Sequence, residues 1–221
     1  MRRAAPLLLL ALAVAVAGCG GGGHGQASVW VTRDEGRHVL AVRSVPAGLT
    51  AMQALQRVAE VSTRYGGRFV ASVDGVAGSL RARRDWFYFV NGIEASVGAA
   101  EYRLHSGDVE WWDYRDWGRY GESVPVVVGA FPEPFVHGYG GKVPPAVVVG
   151  AGPAAKELAR VVHGRVATSA PRGANVLRLV GGASRLTARL RSGGGVEFDF
   201  AGDAARLARH PRSVRYRYSV P

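Results

Sequence analysis

At 221 residues, 48% of them hydrophobic, the chain is long enough to bury one large core or two small ones. Its single cysteine excludes an internal disulfide. The formal charge of +11 is unevenly spread: residues 20–120 carry 12 arginines against 11 acidic residues, whereas residues 121–221 carry 14 basic against 6 acidic, so an anion-seeking surface belongs to the second half or is a solvated arginine-rich face.

Met1-Arg2-Arg3 is a short basic start, and Pro6 to Val16 is an apolar run of secretory-signal length, shorter than the ~20 residues a spanning helix needs. Val16-Ala17-Gly18-Cys19 resembles a bacterial lipobox, in which small residues lead to a thiol that takes a lipid before cleavage; the chain's only cysteine stands there. Residues 1–18 are therefore predicted to be a lipoprotein signal peptide, with Cys19 the diacylglyceryl-modified first residue of the mature protein. Residues 19–27 are a glycine-rich tether in which His24 is idle.

Ser28 to Thr32 and His38 to Ser44 alternate as strands around an Asp34-Glu35-Gly36 turn. Thr50 and Gln53 form a capping box that starts a helix; Met52, Leu55, Val58 and Ala59 share its apolar face, and Gly66-Gly67 is read as ending it near Tyr65. Arg68 to Val73 follows as a strand, Asp74-Gly75 as a turn, and Gly78 to Asp85 as a polar loop. Trp86-Phe87-Tyr88-Phe89-Val90 is strand-prone and runs into Asn91-Gly92, the pair suited to the positive φ angles of a type I′ turn. Ser106-Gly107-Asp108 turns the chain into another strand, Val109 to Tyr114. Hairpin, helix and then three or four strands predict a β-grasp, a mixed sheet with one helix packed across a face.

Three stretches in this order carry a family resemblance: Gly48 to Leu55 (GLTAMQAL) at the helix entry, Trp86 to Gly92 (WFYFVNG), and Gly98 through Tyr102 to Leu104-His105-Ser106-Gly107-Asp108-Val109-Glu110-Trp111. On them, residues 28–117 resemble the transcobalamin-like carboxy-terminal domain family, a β-grasp module. In eukaryotic cobalamin carriers that module covers one face of the corrinoid, and a large α-helical barrel supplies the rest; this chain lacks the long helical repeats of such a barrel. The resemblance implies a platform for a small molecule or a polypeptide, without implying cobalamin.

Alternation separates Trp86, Tyr88 and Val90 from Phe87 and Phe89, and Trp111 and Asp113 from Glu110, Trp112 and Tyr114. Phe87 and Phe89 are expected in the core. Trp86 and Tyr88, whose rings have polar edges, are expected on the other face beside Trp112 or Trp111, as an open stacking platform or as a core covered by the second domain. Asp108, Glu110, Asp113 and Asp116 match no calcium loop, and Arg103, Arg115 and Arg119 supply charge partners.

Residues 119–145, rich in glycine and proline, form the predicted linker; Phe131 to Phe135 is read as extended because of its two prolines, and His137 as structural. Ala146 to Val149 followed by Gly150-Ala151-Gly152-Pro153-Ala154-Ala155 looks like a dinucleotide fingerprint, but no acidic residue stands about 20 positions further on. A strand, a turn and a helix from about Ala154 to His163 is the plainer reading. Asn175 to Val180 is a strand; Arg185 to Arg191 and Val196 to Phe200 alternate as a hairpin, with Glu197 and Asp199 opposing the arginines. Ala204 to His210 is a short helix stopped by Pro211, and Val214 to Val220 is a last strand with Arg215 and Arg217 on one face. Arg189, Arg191, Arg215 and Arg217 thus make a predicted basic stripe for phosphate or acidic glycan.

The expected molecule is α+β: a β-grasp domain over 28–118 and a small α+β domain over 146–221, held to the outer side of the cell membrane by lipid at Cys19. Its expected function is non-catalytic binding of a small molecule or a surface partner such as an envelope protein, through Trp86, Tyr88, Trp111, Trp112 and Tyr114. The other reading is a structural or interaction module that binds protein or anionic wall polymer. No catalytic residue, metal or cofactor is expected, because there is no H-E-x-x-H and no second cysteine, and His38, His105, His137, His163 and His210 are scattered; no nucleic-acid partner is expected, because Tyr216 and Tyr218 fall on the face opposite Arg215 and Arg217.

Overall fold

In the first hairpin, β1 (Gln26–Arg33) pairs antiparallel with β2 (His38–Pro46), and its turn holds Asp34, Glu35 and Gly36 at φ 58, 58 and 79°. The computed structural model describes residues 25–220; the predicted signal peptide, Cys19 and His24 lie outside the described residues. The capping box forms: Thr50 Oγ1 accepts from Gln53 N at 3.1 Å, and Gln53 Oε1 accepts from Thr50 N at 3.0 Å. The helix it starts, α1 (Ala51–Gln56), ends well short of Tyr65. Val61 and Thr63 are β-branched and pair with Val73 and Val70, so β3 (Val61–Arg64) and β4 (Phe69–Val73) make a second hairpin. Tyr65-Gly66-Gly67, at φ 52, 68 and 87°, is that hairpin's loop and not a helix cap. The Asp74-Gly75 turn adds β5 (Val76–Ala77) and completes a small three-stranded sheet.

β6 (Arg84–Val90) passes through Asn91-Gly92, at φ 51 and 80°, into β7 (Ile93–Glu94). β8 (Val109–Asp116) then runs up the centre, giving a five-stranded sheet in the order β2-β1-β8-β6-β7. β1 lies parallel to β8 and every other pairing is antiparallel, the arrangement of a β-grasp. One face of this sheet, with Val29, Val31, Trp86, Val90 and Trp112, packs against Ala51, Met52, Ala54 and Leu55 of α1 and against Val70 and Val73. The other face, with Trp30, Phe89 and Trp111, is covered by Val127, Ala130, Tyr216 and Tyr218.

Asp116 caps α2 (Trp117–Tyr120), and the stretch expected as a linker follows. It is core: Val126, Val127, Val128, Ala130, Phe131 and Phe135 are buried, because their apolar side chains are shared between the two halves of the molecule. α3 (Glu133–Val136) stands where an extended run was expected, since Pro134 falls in the first turn, where a missing N–H leaves no helical bond unmade.

The second half is β9 (Ala146–Val149), α4 (Gly152–Val161), β10 (Arg165–Ala167), β11 (Asn175–Leu179), β12 (Arg185–Leu190), β13 (Val196–Ala201) and α5 (Ala204–Arg209). The sheet order is β10-β9-β11-β13-β12, parallel except at β12. Val148, Leu177, Leu186 and Phe198 pack inward on Ala155 and Leu158 of α4, on Leu207 of α5, and on Phe131 and Phe135. Gly150 serves this packing, since a Cβ there would lie 2.8 Å from Leu179. After a 3₁₀ turn at Pro211–Val214 the predicted last strand does not form. Tyr216 sits at φ 62°, which breaks the extended alternation, and the tail crosses to the first sheet before Val220 bridges Leu186.

Candidate functional site

The predicted ligand face is packed, not open. Trp86, Trp111 and Trp112 are 6, 0 and 3% exposed, and Tyr88 and Tyr114 are half-buried. Trp86, Tyr88, Trp112 and Tyr114 face α1 and the small sheet, whereas Trp111 lies with Phe89 on the opposite side. Phe87, expected in the core, is half-buried beneath the Arg115 guanidinium, 3.7 Å from its ring centre. The polar ring edges that argue for exposure find backbone partners. Trp86 Nε1 donates to Val76 O at 2.8 Å, the Tyr88 hydroxyl to Val97 O at 2.5 Å, and the Tyr114 hydroxyl to Ala77 O at 3.0 Å. Tyr88 stacks on Trp112 with ring centres 4.8 Å apart, and Trp112 Nε1 donates to Glu110.

The predicted basic stripe is split for a different reason. Arg189 is held by Glu197 at 2.8 Å and Asp199 at 2.5 Å, and Arg178 Nε reaches Glu197 at 2.9 Å, so both arginines form an ionic ladder with the second sheet's own carboxylates. Arg191 donates to the carbonyls of Ala174, Pro171 and Ala170 at 2.6, 2.8 and 3.2 Å, which makes it a loop clamp. Arg215 and Arg217 leave this sheet with the tail. His137 is structural, its Nδ1 lying 2.7 Å from Glu133 Oε2.

The site that does assemble lies where the β1–β2 turn meets the tail. Its anchor is Asp113 of β8, buried completely. Asp113 Oδ1 accepts from Thr32 Oγ1 at 2.5 Å and from Gly36 N at 3.1 Å; Oδ2 accepts from Glu35 N at 3.1 Å and from the Tyr218 hydroxyl at 2.9 Å. Thr32 Oγ1 in turn accepts from Trp111 Nε1 at 2.8 Å. Burial pushes the Asp113 carboxyl upward, and the bonds from Thr32, Tyr218, Gly36 and Glu35 pull it back down. Burial also drives the Tyr218 hydroxyl well above its usual range, so it stays protonated and keeps donating.

Over this anchor opens a groove of about 570 Å³, lined by Arg37, Tyr120, Arg215, Arg217, Tyr218 and Ser219 among others. Arg37 is paired with Glu35 at 3.0 Å, and the Arg215 guanidinium lies 5.2 Å from the Trp30 ring centre. With Arg37 held by Glu35, the groove offers the guanidiniums of Arg215 and Arg217 beside tyrosine rings, groups whose chemistry suits an anion. Among the described residues no group of three or more His, Cys, Asp or Glu is placed to hold a metal ion, and no helix is long and apolar enough to cross a membrane.

Sequence patterning alone misses this site because its parts are remote: Asp113 and Tyr218 belong to different halves of the chain. It also misses two buried asparagines. Asn91 Nδ2 donates to Asp108 Oδ1 at 2.7 Å and to Gly138 O at 2.9 Å, and Asn175 Nδ2 donates to Pro134 O at 2.9 Å; together they clamp the 131–138 stretch to both sheets.

Residues 48–116 match a family model described as Domain of unknown function (DUF4430). No curated protein matches the chain. Among solved structures, a protein of Ruminococcus gnavus ATCC 29149 named as a candidate metal binder is similar at 14% identity over 42% of this chain and 97% of its own, with a TM-score of 0.34. Haptocorrin in complex with cobinamide (Cbi) is similar at 16% identity over 41% of this chain and 26% of its own, with a TM-score of 0.33, so the chain spans about a quarter of haptocorrin's length.

Proposed function

We propose that the chain is an extracytoplasmic lipoprotein, anchored to the cell membrane through lipid at Cys19, that binds a small anionic molecule without transforming it. The anchor is supported by the basic start, the apolar run and the single cysteine at its end. The binding role is supported by the three motifs resembling the transcobalamin-like module. The observation that carries the ligand site is the groove above Asp113. Its volume of about 570 Å³ falls in the range of small-ligand sites, roughly 300–1,000 Å³. Arg215, Arg217 and Tyr120 are its recognition groups, and the buried Asp113–Thr32–Trp111 chain beneath them keeps the floor fixed.

Trp30 and Trp111 lie directly under the groove, their ring centres 4.8 and 6.4 Å from Tyr216, so occupancy is expected to change tryptophan emission. A panel of anionic metabolites and corrinoids titrated against the protein is expected to yield a specific quencher, and Arg215→Ala to weaken it about tenfold, the equivalent of one charge-assisted contact. A panel that gives neither quenching nor a thermal shift sinks the ligand reading. For the anchor, Cys19→Ala is expected to move the protein from the membrane fraction to the soluble one; continued membrane association would count against it.

A further inference from the structure

The basic excess of the second half is not spent on the ionic ladder alone. α5 places Arg206 and Arg209 three residues apart, on one helical face. Pro211 stops the helix, and the 3₁₀ turn that follows swings Arg212 and Ser213 across from them. With His210 these residues wall a depression of about 700 Å³. A neighbouring hollow of about 260 Å³ shares Arg206 and Ser213 with it and extends to Arg217 and Ser184; Asp203 is the acidic group on this wall, with its Oδ1 engaged by Arg206 N at 2.9 Å. These two hollows make a bent path from the end of α5 to Arg217, which also borders the groove above Asp113.

Arg206, Arg209, Arg212 and Arg217 are exposed, and among the described residues none is paired with a carboxylate, in contrast to Arg178 and Arg189 on the ladder. Like charges left side by side raise the potential along the path and draw an anionic chain into it.

The shape and composition of the path select among polyanions. Leu207 and Val214 beneath it are buried, and none of the exposed large hydrophobic residues of the described chain lies between residues 204 and 220, so the path has no side chain to insert into a bilayer. Phe200, which is buried, is the one Phe, Tyr or Trp lining these two hollows, which leaves no free ring in them for stacking a nucleobase. We infer that the path from Arg209 and Arg212 through Arg206 to Arg217 binds a flexible, linear, non-aromatic polyanion whose repeating charges are phosphates or carboxylates. This inference does not rest on the small-ligand reading: Arg217 is the one residue of the path that also lines the groove above Asp113, and Arg206, Arg209 and Arg212 lie outside it.

The test is fluorescence anisotropy of the full-length protein with end-labelled long-chain polyphosphate and with polygalacturonate, which separate the two charge chemistries. Binding to at least one polymer is expected. The logarithm of its affinity should fall against the logarithm of salt with a slope of roughly −2 to −3, about 0.7 for each of four contacts by counterion release. The combined Arg206→Gln, Arg209→Gln, Arg212→Gln variant should bind about tenfold more weakly at exposed-pair strength. The Lys replacements at the same positions should recover most of the loss, and Arg189→Gln should bind as the parent does. The inference is overturned if neither polymer binds, if the triple Gln variant binds unchanged, if Arg189→Gln is equally damaging, or if phosphatidylglycerol vesicles bind through these arginines as tightly as the polymers. Because the Lys variant keeps the charge and the surface, its recovery separates lost binding from lost folding.

Discussion

Glu110 is fully buried; one carboxyl oxygen accepts from Trp112 Nε1, and the other has no partner among the described residues. Burial holds its carboxyl well above the usual range, against the weaker opposite pull of the Trp112 bond. A raised folded value means that the native state keeps the proton more tightly than the unfolded chain. The stability Glu110 contributes is therefore complete below the ordinary carboxyl value of ~4.3 and is lost as pH rises toward the folded value. Glu110→Gln keeps the acceptor for Trp112 and removes the charge. It is expected to be more stable than the parent at about pH 8, by the 1–3 kcal/mol typical of a buried unpaired polar group, roughly, and to match it near about pH 4. Urea unfolding followed by tryptophan emission at the two pH values checks this, and equal stability at the higher pH would mean that the carboxylate is solvated. Such single-residue roles are only half legible in the sequence. The Asn91-Gly92 pair announces its turn, because positive φ is a local property of those two residues; that the Asn91 side chain also clamps Gly138 depends on a loop 47 positions away.

Among the elements, starts are more legible than stops. The capping box of α1 is complete within Thr50–Gln53, and both of its hydrogen bonds form. The end of α1 depends on β4, whose Val70 and Val73 recruit Thr63 and Val61 into a hairpin; Val58 and Ala59, on the expected helical face, still pack on the same core from outside the helix. The hairpin of β12 and β13 is legible throughout, since alternation alone sets Leu186, Val196 and Phe198 inward and lets Arg189 meet Glu197. The tail alternates just as well from Val214 to Val220 yet makes no strand, because Tyr216 and Tyr218 gain more by burying against Trp30, Phe89 and Trp111 than a lone edge strand would. α3 likewise forms because Phe135 has Phe131 and Phe198 to pack on, ring centres 5.9 and 5.1 Å away.

At the scale of the whole molecule, the buried stretch 126–135 and the tail fasten the two large sheets to each other, and they meet at Gly129. A Cβ on Gly129 would stand 2.4 Å from Arg217 N and 2.7 Å from Arg217 O, so only glycine lets the tail lie this close. Gly129→Ala is expected to loosen the tail and to cost about 1–3 kcal/mol, as overpacking does. The readouts are a lowered thermal midpoint and faster proteolysis around residues 211–220; if both stay at parental values, the tail is not pinned there. This fastening also explains how the candidate site came to differ from the one expected. By itself the sequence determined most of the strands, the Asn91-Gly92 and Asp74-Gly75 turns, the helix start, the β-grasp order and the basic bias of the second half, because alternation, capping and turn chemistry act between neighbours along the chain. Only the tertiary structure decided that both faces of the first sheet are covered, that Arg189 and Arg191 are already engaged, and that the groove above Asp113 is open. Exposure depends on which remote segment arrives to cover a surface, and residues 126–135 and 214–220 arrive from far along the chain.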